Sequence, residues 1–174
     1  MWWRRSLGLA IVLFVAQSCG FQPLYGEQSA ADSQWLATIE VETPDNRDGQ
    51  LLKSALEDAF NPKGWRAAPQ YRLVVQTRTK FHPFAINLDG SVSRYTIQFT
   101  SNYELIRGVD KKVVDKGVLS RTAGYNVADT DDYATFMARQ DAQERVVKAL
   151  AELYRLKMRS YFDRFATDYE QAAQ

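Results

Sequence analysis

The chain has one cysteine, Cys19, and one histidine, His82. A single thiol excludes a disulfide within the chain. Without a second histidine or thiol there is no material for a zinc site of the usual ligand set, nor for a Cys–His pair. His82 lies between Phe81 and Pro83 and reads as a structural residue. No glycine-rich phosphate loop is present. Gly90-Ser91-Val92-Ser93 lacks the second glycine of a nucleophile elbow. The acidic neighbours Asp131-Asp132, and Asp110 near Asp115, read as helix capping and turn solvation. Charge of one sign is also missing. Lysine and arginine number 22 against 21 acids, for a formal net charge of +1, far from the basic excess of a nucleic-acid binder. The chain shows no internal repeat and no low-complexity tract, and beyond Gly124 it contains neither glycine nor proline.

Long hydrophobic runs are absent as well. The longest, Leu7 to Ala16, is too short to span a hydrocarbon core of about 30 Å. With Arg4 and Arg5 before it and Ala16-Gln17-Ser18 after it, it reads as a removable export signal over residues 1–18. Cys19 then stands first in the exported chain. That placement resembles the bacterial lipobox, whose cysteine receives diacylglycerol, although leucine is usual where Ala16 stands. Removing residues 1–18 from the 174 leaves 156, enough for one domain with a core. Without Arg4 and Arg5 the formal charge becomes −1.

Residues 19–34 read as a lipidated N-terminus and tether, 35–168 as a single domain and 169–174 as a flexible tail. Trp35 to Thr43 alternates and predicts a strand. Pro44-Asp45-Asn46 breaks it. Asp48 is placed to cap a helix with the stripe Leu51, Leu52, Ala55, Leu56, Ala59 and Phe60, which Asn61-Pro62-Lys63-Gly64 stops. Tyr71 to Lys80 predicts a second strand, and Phe81 to Ser91 a loop with Pro83 inside it. Arg94 to Arg107 is the clearest strand, with Tyr95, Ile97, Phe99, Tyr103 and Leu105 on one face. Val113 to Tyr125 is a fourth, and Val118 and Leu119 compete for its inner side. Thr130 or Asp131 caps a final helix of about 35 residues and about 50 Å, which must overhang the sheet, kink or end early. The expected fold is α+β: a mixed four-stranded sheet, β-α-β-β-β-α, with two helices packed on one face.

The segment Cys19-Gly20-Phe21-Gln22-Pro23-Leu24-Tyr25-Gly26 resembles the mature N-terminus of the LptE family of lipopolysaccharide-assembly lipoproteins. Asp89-Gly90 followed by the strand Arg94 to Leu105, and the alanine-spaced run Ala134 to Arg145, extend the resemblance over most of the exported chain. It implies an outer-membrane lipoprotein that faces the periplasm. Its partners would be an LptD-like β-barrel, which it plugs and helps to assemble, lipopolysaccharide, and outer-membrane lipid through N-terminal acyl chains. It implies no enzyme activity, no cofactor and no nucleic acid. The alternative is a periplasm-facing lipoprotein carrier or lipid-binding scaffold.

Two candidate surfaces follow from the residues. Arg78, Lys80 and Arg94 fall on the polar face of neighbouring strands, where they either bind lipopolysaccharide phosphates or form a solvated face. Phe81, Pro83, Phe84 and Ile86 form an apolar stretch that either inserts into a partner or folds back over the sheet edge. Lipidation at Cys19 has a direct readout. The intact mass of the mature protein is expected to correspond to a chain starting at Cys19 with added acyl groups; an unacylated mass refutes it.

Overall fold

The computed structural model describes residues 34–62, 64, 67–88, 90–128 and 131–172. The segment 1–18, residues 19–33 with Cys19, and Thr130 lie outside them. The chain runs β1 (Ile39–Glu42), α1 (Arg47–Phe60), β2 (Tyr71–Ile86), β3 (Val92–Arg107), β4 (Val113–Asn126) and α2 (Asp132–Ala172). The strands form one sheet in the order β1-β2-β3-β4. β1 pairs parallel with β2 through the α1 crossover, and the other pairs are antiparallel. This is the expected mixed four-stranded α+β architecture.

Three local expectations are corrected. The first strand begins at Ile39, not Trp35. The Thr38 hydroxyl donates to the Trp35 carbonyl at 2.7 Å, and the Thr38 amide reaches the same oxygen at 3.0 Å. That closes a turn where a strand was expected. The cap of α1 is Asn46, not Asp48. Asn46 is in extended conformation, and its Oδ1 accepts the Gly49 amide at 2.8 Å. Asp48 sits in the first turn, where the positive helix end favours it, and accepts the Thr79 hydroxyl at 2.6 Å. Gly49 is required here, because a Cβ would lie 2.0 Å from the Pro44 carbonyl oxygen.

The third correction is the largest. Phe81 to Ile86 is not loop but the outer half of β2, paired with β3 as far as Ile86↔Val92. Pro83 is tolerated because β1 pairs only with Tyr71 to Val74, so the far edge of β2 has no partner there. Register shifts between Pro83 and Ile86 leave Phe84 as an extra residue, a bulge. The turn is short, closed by the Asn87 amide to the Ser91 carbonyl at 2.8 Å, with Gly90 at φ +84°.

The facing of β4 is settled by register. Ser101↔Leu119 and Asn102↔Val118 put Leu119 on the core side and Val118 on the open side. The buried side chains form one cluster. It contains Leu73 and Val75 of β2, Ile97, Phe99, Tyr103 and Leu105 of β3, Leu52, Leu56 and Phe60 of α1, and Val146, Leu150, Tyr154, Met158 and Phe162 of α2. α2 is 41 residues long, about 60 Å, and overhangs without a break. Asp131 caps it, accepting the Ala134 amide at 2.9 Å. Tyr133, Phe136, Met137 and Phe165 of this helix are exposed.

Tyr154 seats the helix. Its hydroxyl lies 2.7 Å from the fully buried Ser101 hydroxyl, and Tyr103 packs edge-on at 5.4 Å. Burial pushes Tyr154 up to about 12. Burial, then the hydrogen bond from its hydroxyl to Asp115 at 3.0 Å, pushes Tyr103 up as well. Both hold their protons more tightly folded than unfolded. Their stabilisation is therefore complete below pH 10, the ordinary tyrosine value, and for Tyr154 it is lost as pH rises to about 12. Tyr154→Phe is expected to cost about 1 kcal/mol at neutral pH, because the Ser101 hydroxyl loses its closer partner. It is also expected to flatten the fall in stability above pH 10, measured as the urea midpoint against pH.

Candidate interaction surface on the open face and hairpin end

The alternation that buries one side of the sheet presents the other to solvent. Arg72, Gln76, Arg78, Lys80 and His82 of β2 lie on that open side with Arg94, Thr96, Gln98, Thr100, Asn102 and Glu104 of β3. Ser120, Thr122 and Gly124 of β4 continue it. Hydroxyl and amide groups dominate, and Thr100 and Ser120 share a hydrogen bond at 3.2 Å.

The face has two electrostatic halves. Near β1, Arg72 is held by Glu40 at 3.6 Å and Glu42 at 3.8 Å. Exposed pairs of this kind contribute little stability but cancel the local field. Toward the hairpin end lie Arg78, Lys80 and Arg94, and among the described residues none of the three forms an ion pair. Arg78 is opposite Thr100 and Lys80 opposite Gln98, while Arg94 is opposite Ala85. Gln98 and Arg94 are four residues apart, so Lys80 and Arg94 are separated by about 13 Å along the strands. The cations thus form a row and not one clamp. Arg94 is fixed at the end of the row. Its guanidinium stands 5.7 Å from the Phe84 ring centroid, and it passes so close over Gly124 that a Cβ there would be 3.0 Å from its nitrogen. His82, read from sequence as structural, is exposed and opposite Thr96, between Lys80 and Arg94.

The hairpin end is apolar. Phe84 is 71 % exposed, Ile86 65 %, Leu88 fully so, and Phe81 and Pro83 are also open to solvent. Sequence reasoning missed that this surface continues onto α2. Tyr133, Phe136 and Met137 are exposed in its first two turns, and the Arg139 guanidinium lies 4.3 Å over the Phe81 ring. The helix start is held close to the sheet. The Val127 amide bonds the Ser93 carbonyl at 2.9 Å, and the Ala128 amide bonds the Thr135 hydroxyl at 2.9 Å. The signal available in the sequence is the run of apolar residues Tyr133, Phe136 and Met137 at the start of the final helix; their neighbour in space is not visible there.

These groups are suited to non-covalent contact: guanidinium and ammonium for anions, hydroxyls and amides for polar ligands or walls, and an apolar end. Among the described residues, no cluster of three or more His, Cys, Asp or Glu side chains could hold a metal ion, and no helix is long and apolar enough to cross a membrane. Cys19 lies outside the described residues.

Comparison with known proteins gives a consistent result. The family model described as LptE, lipopolysaccharide-assembly, matches residues 36–157. No curated protein matches. Among solved structures, the fold is similar to a candidate lipoprotein from Caulobacter crescentus CB15. The TM-score is 0.62 at 23 % identity, over 76 % of this chain and 96 % of that one. It is also similar to the rare lipoprotein B from Shewanella oneidensis, with TM-score 0.56, 13 % identity, and 74 % and 98 % of the two chains covered. A minor lipoprotein from Acinetobacter baumannii gives TM-score 0.53 at 13 % identity, over 71 % and 90 %. At these identities the likeness concerns the fold.

Proposed function

The chain belongs to the LptE family of lipopolysaccharide-assembly proteins, and from that premise we propose that it is a non-catalytic lipoprotein subunit of the outer-membrane lipopolysaccharide translocon. In this reading acyl chains at Cys19 hold it on the periplasmic side of the outer membrane. The domain plugs an LptD-like β-barrel, assists its assembly and contacts lipopolysaccharide as it passes to the outer leaflet. The observation that carries the reading is the open face: a sheet surface of threonine, glutamine and asparagine with three cations that have no acidic partner among the described residues. Such a face suits the polar lumen of a large barrel and the phosphates of lipopolysaccharide alike.

Arg78, Lys80 and Arg94 are assigned to lipopolysaccharide phosphates. Because they form a row, they would take separate phosphates or successive positions of one moving lipid. Replacing all three by glutamine is expected to weaken lipopolysaccharide binding several-fold and to flatten its salt dependence, while the barrel complex persists. Binding measured at two salt concentrations checks this, and unchanged affinity at both refutes the assignment.

Phe81, Pro83, Phe84 and Ile86 are assigned to the partner. The apolar end of a paired hairpin is a rigid probe, and exposed apolar clusters of this kind mark contact sites. Photo-crosslinkers at Phe84 and Ile86 in cells are expected to trap a large outer-membrane barrel. Adducts within the chain alone would make the hairpin end a structural cover.

A further inference from the structure

The apolar end of the molecule is bordered by cations on both sides of the sheet. On the open side the Arg94 guanidinium stands beside Phe84; on the other, Arg139 lies over Phe81. Between them project Ile86 and Leu88, and Phe136 and Met137 extend the apolar area along α2. From Arg78 to Arg94 the sequence carries three fixed positive charges and one acid, Asp89. Three acids stand at the helix start or just before it in the sequence, Asp129, Asp131 and Asp132, and Asp131 is engaged as the cap. Apolar bodies with guanidinium groups at their margins match a bilayer interface. The rings and aliphatic chains reach the acyl boundary, and the cations stay at the phosphate level.

We propose that this end, formed by the hairpin tip and the first two turns of α2, docks into the headgroup layer of an anionic lipid bilayer. Charge complementarity selects the occupant: a zwitterionic surface has no net charge to attract Arg94 and Arg139, whereas a net anionic surface attracts both. The docking goes beyond the translocon reading. The hairpin cannot lie in a bilayer and against a protein wall at once, so docking belongs to the chain before it is seated in a partner.

The test uses the full processed protein carrying Leu88→Cys, labelled with an environment-sensitive fluorophore. Unsubstituted protein taken through the same labelling corrects for Cys19. Vesicles are phosphatidylcholine alone, or phosphatidylcholine with phosphatidylglycerol, each with a spin-labelled lipid as quencher. A blue shift and quenching in the anionic vesicles is expected, reduced several-fold by R94Q with R139Q, and by F136S with M137S. All four positions are exposed, so folding should persist, and circular dichroism verifies it. A label that stays in its aqueous state in both vesicles overturns the proposal, as does equal insertion into both. Protection only after a purified β-barrel partner is added would assign the surface to protein and likewise overturn it. Crosslinking in cells tests the translocon reading separately, so the two can fail independently.

Discussion

One alternation, shared across three strands, organises the molecule. Odd-numbered residues of β2 pair with odd-numbered residues of β3, as in Leu73↔Leu105 and Val75↔Tyr103. β3 passes the same parity to β4 through Ser101↔Leu119 and Ile97↔Ala123. A slip of one position would turn every core side chain outward at once. Burying Leu73, Val75, Ile97, Phe99, Tyr103 and Leu105 therefore also fixes which residues are left outside, and these include Arg78, Lys80 and Arg94. The open face needs no separate explanation; it is what the core leaves over. Ser101 is the one polar group that this parity sends fully inside with nothing apolar to offer, and the Tyr154 hydroxyl satisfies it. Where β3 and α2 meet, that contact turns a polar liability into a marker of register.

The hairpin is longer than the core that supports it. β1 contributes four residues at the base of β2, and α1 fourteen, whose first turn reaches Thr79 through Asp48. The fully buried positions of β2 and β3 end at Val75 and Ile97. Beyond them the strands are held by their own ladder and by the helix start. Charge follows the same division. At the base Arg72 is balanced by Glu40 and Glu42, and Asp115 by Tyr103 and Lys157. At the end the cations meet rings, Arg94 with Phe84 and Arg139 with Phe81. No acid among the described residues forms an ion pair with Arg94 or Arg139.

Period two and period 3.6 are strong enough to give the order of elements and most of the core from sequence, while the mixed sheet rests largely on the family resemblance. What they missed has local causes. Thr38 fits the strand pattern before Ile39, but its hydroxyl finds the Trp35 carbonyl first. Asn46 and Asp48 are both competent caps, and Gly49 packed on the Pro44 carbonyl decides for Asn46. Pro83 marks a loop by ordinary reasoning, and only the shortness of β1 makes that edge tolerant of it. The candidate row was legible because alternation places it. The Arg139–Phe81 contact was not, since the two residues are separated by the whole of β3 and β4 and meet only when α2 returns.

α2 ties these two ends together as a spine. Its later half carries the aromatic group in which Phe162 meets Trp35, Tyr71 and Tyr161. Its middle carries Val146, Leu150 and Tyr154 into the core, and its first turns stand uncovered. The unbroken run without glycine or proline gives the helix the length to do all three. A shorter helix would pack the same core and leave the hairpin end without Phe136, Met137 and Arg139. The overhang adds little to the core, and the place of its exposed apolar residues beside the hairpin makes the two elements one surface.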